Sequence, residues 1–252
     1  MEVPVVSSHA LESITLRYNR RGIATEPRGR GLRPDRPCGG SLMVGAADGH
    51  VTIHPSVLYV GTPVILVCTQ NADGSANLAP ASSYWALGQM LVVGLEADGQ
   101  SAANVLARPE LTVSFPSPEH WRAVEAIGDV TGRSPVPDGK RDRYRHEPDK
   151  FALAGLTPEP SEVVSPPRVA ECALQFEATV QRATRGVGEY YLVEAHVERV
   201  HAAPPVVVPG TDHVDPRAWQ PLIYTFRHYY ALGRELGHRP SSVHAHRDAA
   251  QV

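Results

Sequence analysis

The chain has 252 residues, with 24 Lys and Arg against 27 Asp and Glu, a formal charge of −3. With 42% of positions hydrophobic and 20% charged, it has the composition of a globular protein. The near-neutral balance excludes a dedicated nucleic-acid binder, whose domain would be strongly basic.

The longest apolar run, Val64 to Cys68, is strand-sized, far below the roughly 18 residues that a membrane span needs. The first residues lack the basic-then-apolar order of a signal peptide. Three scattered cysteines, Cys38, Cys68 and Cys172, make neither a disulfide framework nor a Cys-based zinc site. The expectation is a cytoplasmic protein that engages neither nucleic acid nor membrane. The 23 prolines predict short, sharply punctuated elements.

Residues 17–40 carry seven arginines and little apolar pattern, so 1–45 is expected to be a flexible arm. Strands are predicted over 50–60 and 62–70, then a hairpin turn at Asp73-Gly74. Further strands are predicted over 89–96 and 111–115, with a short helix between them. The period-2 alternation of 172–185 and 190–201 marks two half-buried antiparallel strands. Helices are expected at 118–128, at 148–154 and at 216–232, the last starting from Asp215-Pro216. In that last segment Leu222, Phe226 and Tyr229/Tyr230 recur at helical spacing as a core or interface stripe. Residues 236–252 read as a flexible tail, and His238, His244 and His246 in it as part of that tail rather than as metal ligands. Six or more antiparallel strands with interposed helices predict one mainly β domain over 46–235, a closed barrel with helical insertions.

The chemistry concentrates between residues 77 and 104. Asn77-Leu78-Ala79-Pro80-Ala81-Ser82-Ser83 offers small side chains beside a proline break, so a flat ligand can approach the backbone and have its polar edge read there. Some twenty residues later Gly99-Gln100-Ser101-Ala102-Ala103-Asn104 opens a helix. Ser101 is expected to cap it, and its first-turn N–H groups form an anion site. A planar heterocycle with a phosphate tail would use both features.

These residues resemble the flavin reductase-like family of FMN-binding split barrels, which shows an N-x-A-P-x-S element and, further on, a Ser or Thr followed by Asn three residues later. Asn77, Ala79, Pro80 and Ser82 match the first, and Ser101 with Asn104 the second. The likeness runs on through 149–178 and ends near 219–233, covering about residues 50–235. It implies a split β-barrel, a homodimer, and FMN at the subunit interface, with FAD as a further possible flavin. By the same resemblance Asn77, Ala79, Pro80, Ser82 and Ser83 line the isoalloxazine edge and Tyr84 packs near it. Ser101 and Asn104 serve the ribityl phosphate. No dedicated phosphate lysine is apparent, and Gln100 stands where relatives have a basic or polar residue.

The Gly-Asp-His element of the family's short-chain reductases is replaced here by Gly188-Glu189-Tyr190. Reduction of flavin by NAD(P)H would then draw its donor from elsewhere, with His196, Tyr224 and Arg227 as catalytic candidates. Two readings result. One is an FMN-dependent oxidoreductase acting through flavin on a small organic substrate, or reducing flavin with NAD(P)H. The other is a non-catalytic or haem-binding split barrel, with His196, His201 or His228 as axial ligand. Cys172 reads as a buried thiol, and Arg168 and Glu171 either pair locally or stay solvated.

Overall fold

The computed structural model describes residues 49–55 and 57–237. The arginine-rich arm and the histidine-bearing tail therefore lie outside the described residues. In chain order the elements are β1 (Val60–Pro63), β2 (Ile65–Gln70), β3 (Ala76–Ala81), β4 (Tyr84–Leu87), β5 (Met90–Glu96), α1 (Gln100–Ala107) and β6 (Glu110–Phe115). Next come α2 (Trp121–Ala126), β7 (Val130–Thr131), β8 (Arg145–His146), α3 (Lys150–Ala154), β9 (Pro158–Glu159) and β10 (Arg168–Val169). The long strands β11 (Leu174–Arg185) and β12 (Tyr190–Ala202) precede a terminal hairpin of β13 (Ile223–Thr225) and β14 (His228–Tyr230).

Seven strands form one antiparallel sheet in the order β3-β2-β6-β11-β12-β5-β4. Its outermost strands, β3 and β4, are joined in sequence by Ser82-Ser83, so the sheet curls until its two edges meet, the geometry of a barrel. Alternate residues of each strand fill the inside. Ile65 and Val67, Leu91, Val93 and Leu95, Leu111, Val113 and Phe115, and Val193 and Ala195 make one buried cluster. Ala102 and Val105 of α1 join it.

Strand β2 is buried on both faces. Its outward residues Leu66 and Cys68, with Leu78 of β3, pack under Val124, Ile127, Phe151 and Leu156 from α2, α3 and their flanks. That explains why Val64–Cys68 is a continuous apolar run rather than an alternating one. The Asp73-Gly74 turn forms as expected: Gly74 sits at φ 86°, and Asp73 accepts hydrogen bonds from the Ser75 amide and hydroxyl.

Two elements differ from expectation. Among the described residues of the strand expected at 50–60, only Val60 is in a strand. The helix expected over 216–232 is instead a turn followed by the β13–β14 hairpin, whose strand β13 pairs with β1. Pro221 has no N–H to continue a helix. The Leu222 amide donates to Pro116 O and its carbonyl accepts from Val64 N, so tertiary pairing outweighs the helical spacing. The predicted stripe is broken up: Leu222 is buried, Phe226 is in the hairpin turn, and Tyr229 and Tyr230 lie on β14 opposite Tyr224 and Ile223.

Candidate functional site

Between the barrel wall and the segment joining α2 to α3 lies a cavity of about 210 Å³. Ala79, Pro80, Ser82 and Ser83 line it from the β3–β4 side, and Asn77, Ser101 and Lys150 close one end. The small residues are demanded by close approaches. A Cβ on Gly132 would stand 2.4 Å from Asn77 Oδ1, and one on Gly94 would stand 2.9 Å from Ser83 Cβ.

Asn77 organises the closed end. Its Nδ2 donates to Ser101 Oγ at 3.0 Å and to Thr69 Oγ1 at 3.3 Å, and its Oδ1 accepts from Lys150 Nζ at 3.3 Å. Lys150 is 5% exposed, and among the described residues it makes no ion pair. Burial pulls its ammonium down to about 8 from 10.5, against a smaller opposing pull from Cys68. The Cys68 thiol, sealed behind β2, is pushed up by burial to about 12.

Next to it begins α1. Its N-cap is Gly99 and no side chain caps it. The expected Ser101 cap is therefore corrected: Ser101 lies inside the first turn, and its hydroxyl accepts from Asn77. An uncapped N-terminus leaves amide donors and the positive end of the helix dipole facing the cavity. Lys140 also lines the cavity, but it is bound to Glu96 and to Asp98 at 2.7 Å. Burial would lower Lys140, and these two carboxylates more than reverse that, holding it above the usual lysine range.

The Flavin reductase like domain family matches residues 57–233. The chain belongs to the flavin reductase-like family. It is 37% identical over 188 residues to the uncharacterized protein YdfE of Bacillus subtilis (strain 168), covering 73% of this chain and 90% of that one. In fold it is similar to flavoredoxin of Desulfovibrio vulgaris (Miyazaki F), with a TM-score of 0.64 at 22% identity over 77% of this chain and 100% of that one. It is also similar in fold to nitrilotriacetate monooxygenase component B from Bacillus cereus, with a TM-score of 0.59 at 20% identity over 76% and 100% of the two chains.

Within this flavin reductase-like barrel the expected site residues separate. Asn77, Ala79, Pro80, Ser82, Ser83 and Ser101 converge on the cavity. Tyr84 does not, because its inward register packs its ring against Phe115 at 5.5 Å inside the barrel. Asn104, 2% exposed, is one layer behind, donating to Thr69 Oγ1 at 3.0 Å and Asn71 Oδ1 at 2.8 Å. It braces α1 against β2 rather than facing a ligand. His196 is on β12, pairs with Glu198 at 3.2 Å and lines neither this cavity nor its neighbour. Arg227 is at the tip of the terminal hairpin and lines a different pocket, with Pro118 and Trp121. Tyr224 lines a second, adjoining cavity.

Lys150 is the residue that sequence reasoning missed. Its one local signal was Asp149, which caps α3 by accepting from Ala152 N at 2.9 Å and so orients the next residue inward. Nor does the Arg168–Glu171 pair form: Arg168 meets Glu159 at 3.2 Å, and Glu171 accepts from Thr157 N. Cys172 is buried, which raises its thiol. Among the described residues there is no metal-ligating cluster and no helix long and apolar enough to cross a membrane.

Proposed function

We propose that this cavity holds FMN and that the protein is a flavin-dependent oxidoreductase acting through the bound flavin on a small organic molecule. The observation that carries this is the closed end, where a buried cation that makes no ion pair among the described residues and an uncapped helix N-terminus are joined through Asn77. Both favour an anion, and the wall beside them is small enough for a flat ring. Lys150, Ser101 and the first amides of α1 would hold the terminal phosphate. Ala79, Pro80, Ser82 and Ser83 would meet the ring edge, largely through backbone. FAD would share these contacts.

When bound, the flavin supplies the hydride or oxygen chemistry. The chain's part is to bind, orient and exclude water. The replacement of the Gly-Asp-His element by Gly188-Glu189-Tyr190 favours an enzyme with resident flavin over one that exchanges it, with NAD(P)H as a possible electron source. None of His196, His201 and His228 faces the cavity, which disfavours the haem alternative. The proposal includes a homodimer, because Trp85 and Leu87 on β4 and Leu192 on β12 remain 56%, 77% and 43% exposed on the outside of the barrel.

The test is the absorption spectrum of the purified protein followed by fluorescence titration with FMN. Ser101→Asp sets a carboxylate against the phosphate and should weaken FMN binding by at least about 1 kcal/mol. An unchanged affinity in that variant would remove the phosphate from this end of the cavity.

A further inference from the structure

Adjoining the flavin cavity, and sharing Tyr59, Tyr144 and residues 80–82 with it, is a second cavity of about 250 Å³. Its walls are Tyr59, Tyr144, Tyr224 and Tyr229 with Val64 and Val124, and among the described residues no charged side chain lines it. Three of the rings touch in series along this cavity, each inclined to the next. Tyr59 and Tyr224 meet edge-on at 5.6 Å and 61°, and Tyr224 and Tyr229 are tilted at 5.3 Å and 50°.

The hydroxyls are unequal. Tyr59 shares its hydrogen bond with Ser83 Oγ at 2.8 Å, and Tyr229 donates to Glu125 at 2.9 Å. Among the described residues the Tyr224 hydroxyl makes no hydrogen bond. The nearest cation to Tyr144, Lys140 at 5.5 Å from its ring, is already neutralised by Glu96 and Asp98.

We infer that this second cavity is a binding site for an uncharged, planar aromatic molecule bearing a hydrogen-bond acceptor, stacked on the Tyr59–Tyr224–Tyr229 face with the Tyr224 hydroxyl donating to it. It deepens the flavin reading, since the shared wall places such a molecule beside the ring end of the flavin cavity, but the site itself stands on the tyrosines. A flat ring gains stacking that a puckered one cannot match. An anion would have to shed its hydration with no cation to receive it. Among the described residues the Tyr144 hydroxyl likewise makes no hydrogen bond, and donors of this kind select an acceptor substituent, because a ligand without one leaves them unpaired.

The test uses the full chain, with and without FMN, and three probes followed by tryptophan fluorescence, with Trp121 at 6.2 Å from Tyr229. The probes are 2-naphthamide, 2-naphthoate and cyclohexanecarboxamide. The naphthamide should bind at least about tenfold more tightly than either of the others. Tyr224→Phe keeps the face and should weaken naphthamide binding by roughly fivefold while leaving FMN binding unchanged. Equal binding of naphthoate, equal binding of the saturated amide, no binding of any probe, or an unaffected Tyr224→Phe variant would each overturn the inference. FMN titration reads the other proposal separately. Naphthamide binding without FMN binding would sink the flavin reading and leave this site standing.

Discussion

Lys150 shows how one buried charge couples ligand, pH and stability. Its ammonium is held down to about 8 by burial, whereas in the unfolded chain it titrates near 10.4. Below pH 8 both states carry the proton, and the fold bears the full cost of the buried charge. As pH rises from about 8 to about 10.4 the folded state releases the proton first, so this cost is relieved and the Lys150 contribution to stability becomes less unfavourable. Lys150→Met should therefore stabilise the flavin-free protein at pH 7, by up to about 3 kcal/mol. The gain should shrink by pH 9.5, as read from urea denaturation at the two pH values. Ligand binding runs the other way. An anion needs the protonated lysine, so FMN affinity should fall as pH climbs from 7 to 9.5, and Lys150→Met should bind more weakly and lose that pH dependence.

Among the elements, the terminal hairpin is turned by two non-glycine residues at positive φ, Phe226 at 44° and Arg227 at 69°. Such residues cost about 1–2 kcal/mol each in a left-handed conformation. The turn is held because the Phe226 amide donates to Tyr59 O and β13 pairs with β1, which also sets Tyr224 opposite Tyr229. Replacing the pair as Phe226→Asn with Arg227→Gly supplies the residues a two-residue hairpin prefers. It should raise stability by about 1 kcal/mol in a denaturant titration without altering FMN affinity.

Strand β11 offers a second case. Glu177, fully buried beside a bulge, accepts from the amides of Glu162, Val163 and Val164 and from His201 Nε2 at 2.6 Å. Burial pushes this carboxyl up, but the loop amides and His201 outweigh it and hold it below the usual range. A lowered carboxyl contributes stability that is present above the unfolded value near 4.3 and lost as pH falls below it. Glu177→Gln should cost about 2–3 kcal/mol at pH 7. It should also flatten the loss of stability between about pH 5 and 3, followed by thermal melts.

At the scale of the whole molecule, the outer face of β4, β5 and β12 carries exposed apolar side chains among the described residues. Leu87 faces Met90 and Trp85 faces Val92 in register, and Leu192 lies one strand further on, beside Gly94. Such a patch supports the proposed homodimer, since contiguous exposed apolar surface favours burial against a partner. Sedimentation equilibrium should give twice the 27.3 kDa chain mass, and Leu87→Glu should shift the protein toward the single-chain mass at micromolar concentration. A wild-type protein already at the single-chain mass would remove the dimer from the proposal.

The barrel strands were legible in the sequence because their environments repeat at period two. Residues 192–196 alternate between buried and more exposed positions, Leu174–Ala178 departs from alternation with four of five positions buried, and the run Val64–Cys68 is apolar throughout because both faces of β2 are covered. The Asn77–Ser83 and Gln100–Asn104 segments were legible as a site because small residues beside a proline break and a helix start leave backbone donors accessible. Three features depended on tertiary contacts. Lys150 reaches Asn77 across 73 positions, so its burial comes from how α3 packs on β3 and not from its own neighbours. The resemblance carried Tyr84 and Asn104 over to the ligand, but strand register turns the Tyr84 ring into the barrel and helix packing sets the Asn104 amide behind the wall. The final hairpin carries a helical spacing that pairing with β1 overrides. Local pattern determined which backbone each segment favours, and only the folded packing decided which polar side chains lose their water and meet at the cavity.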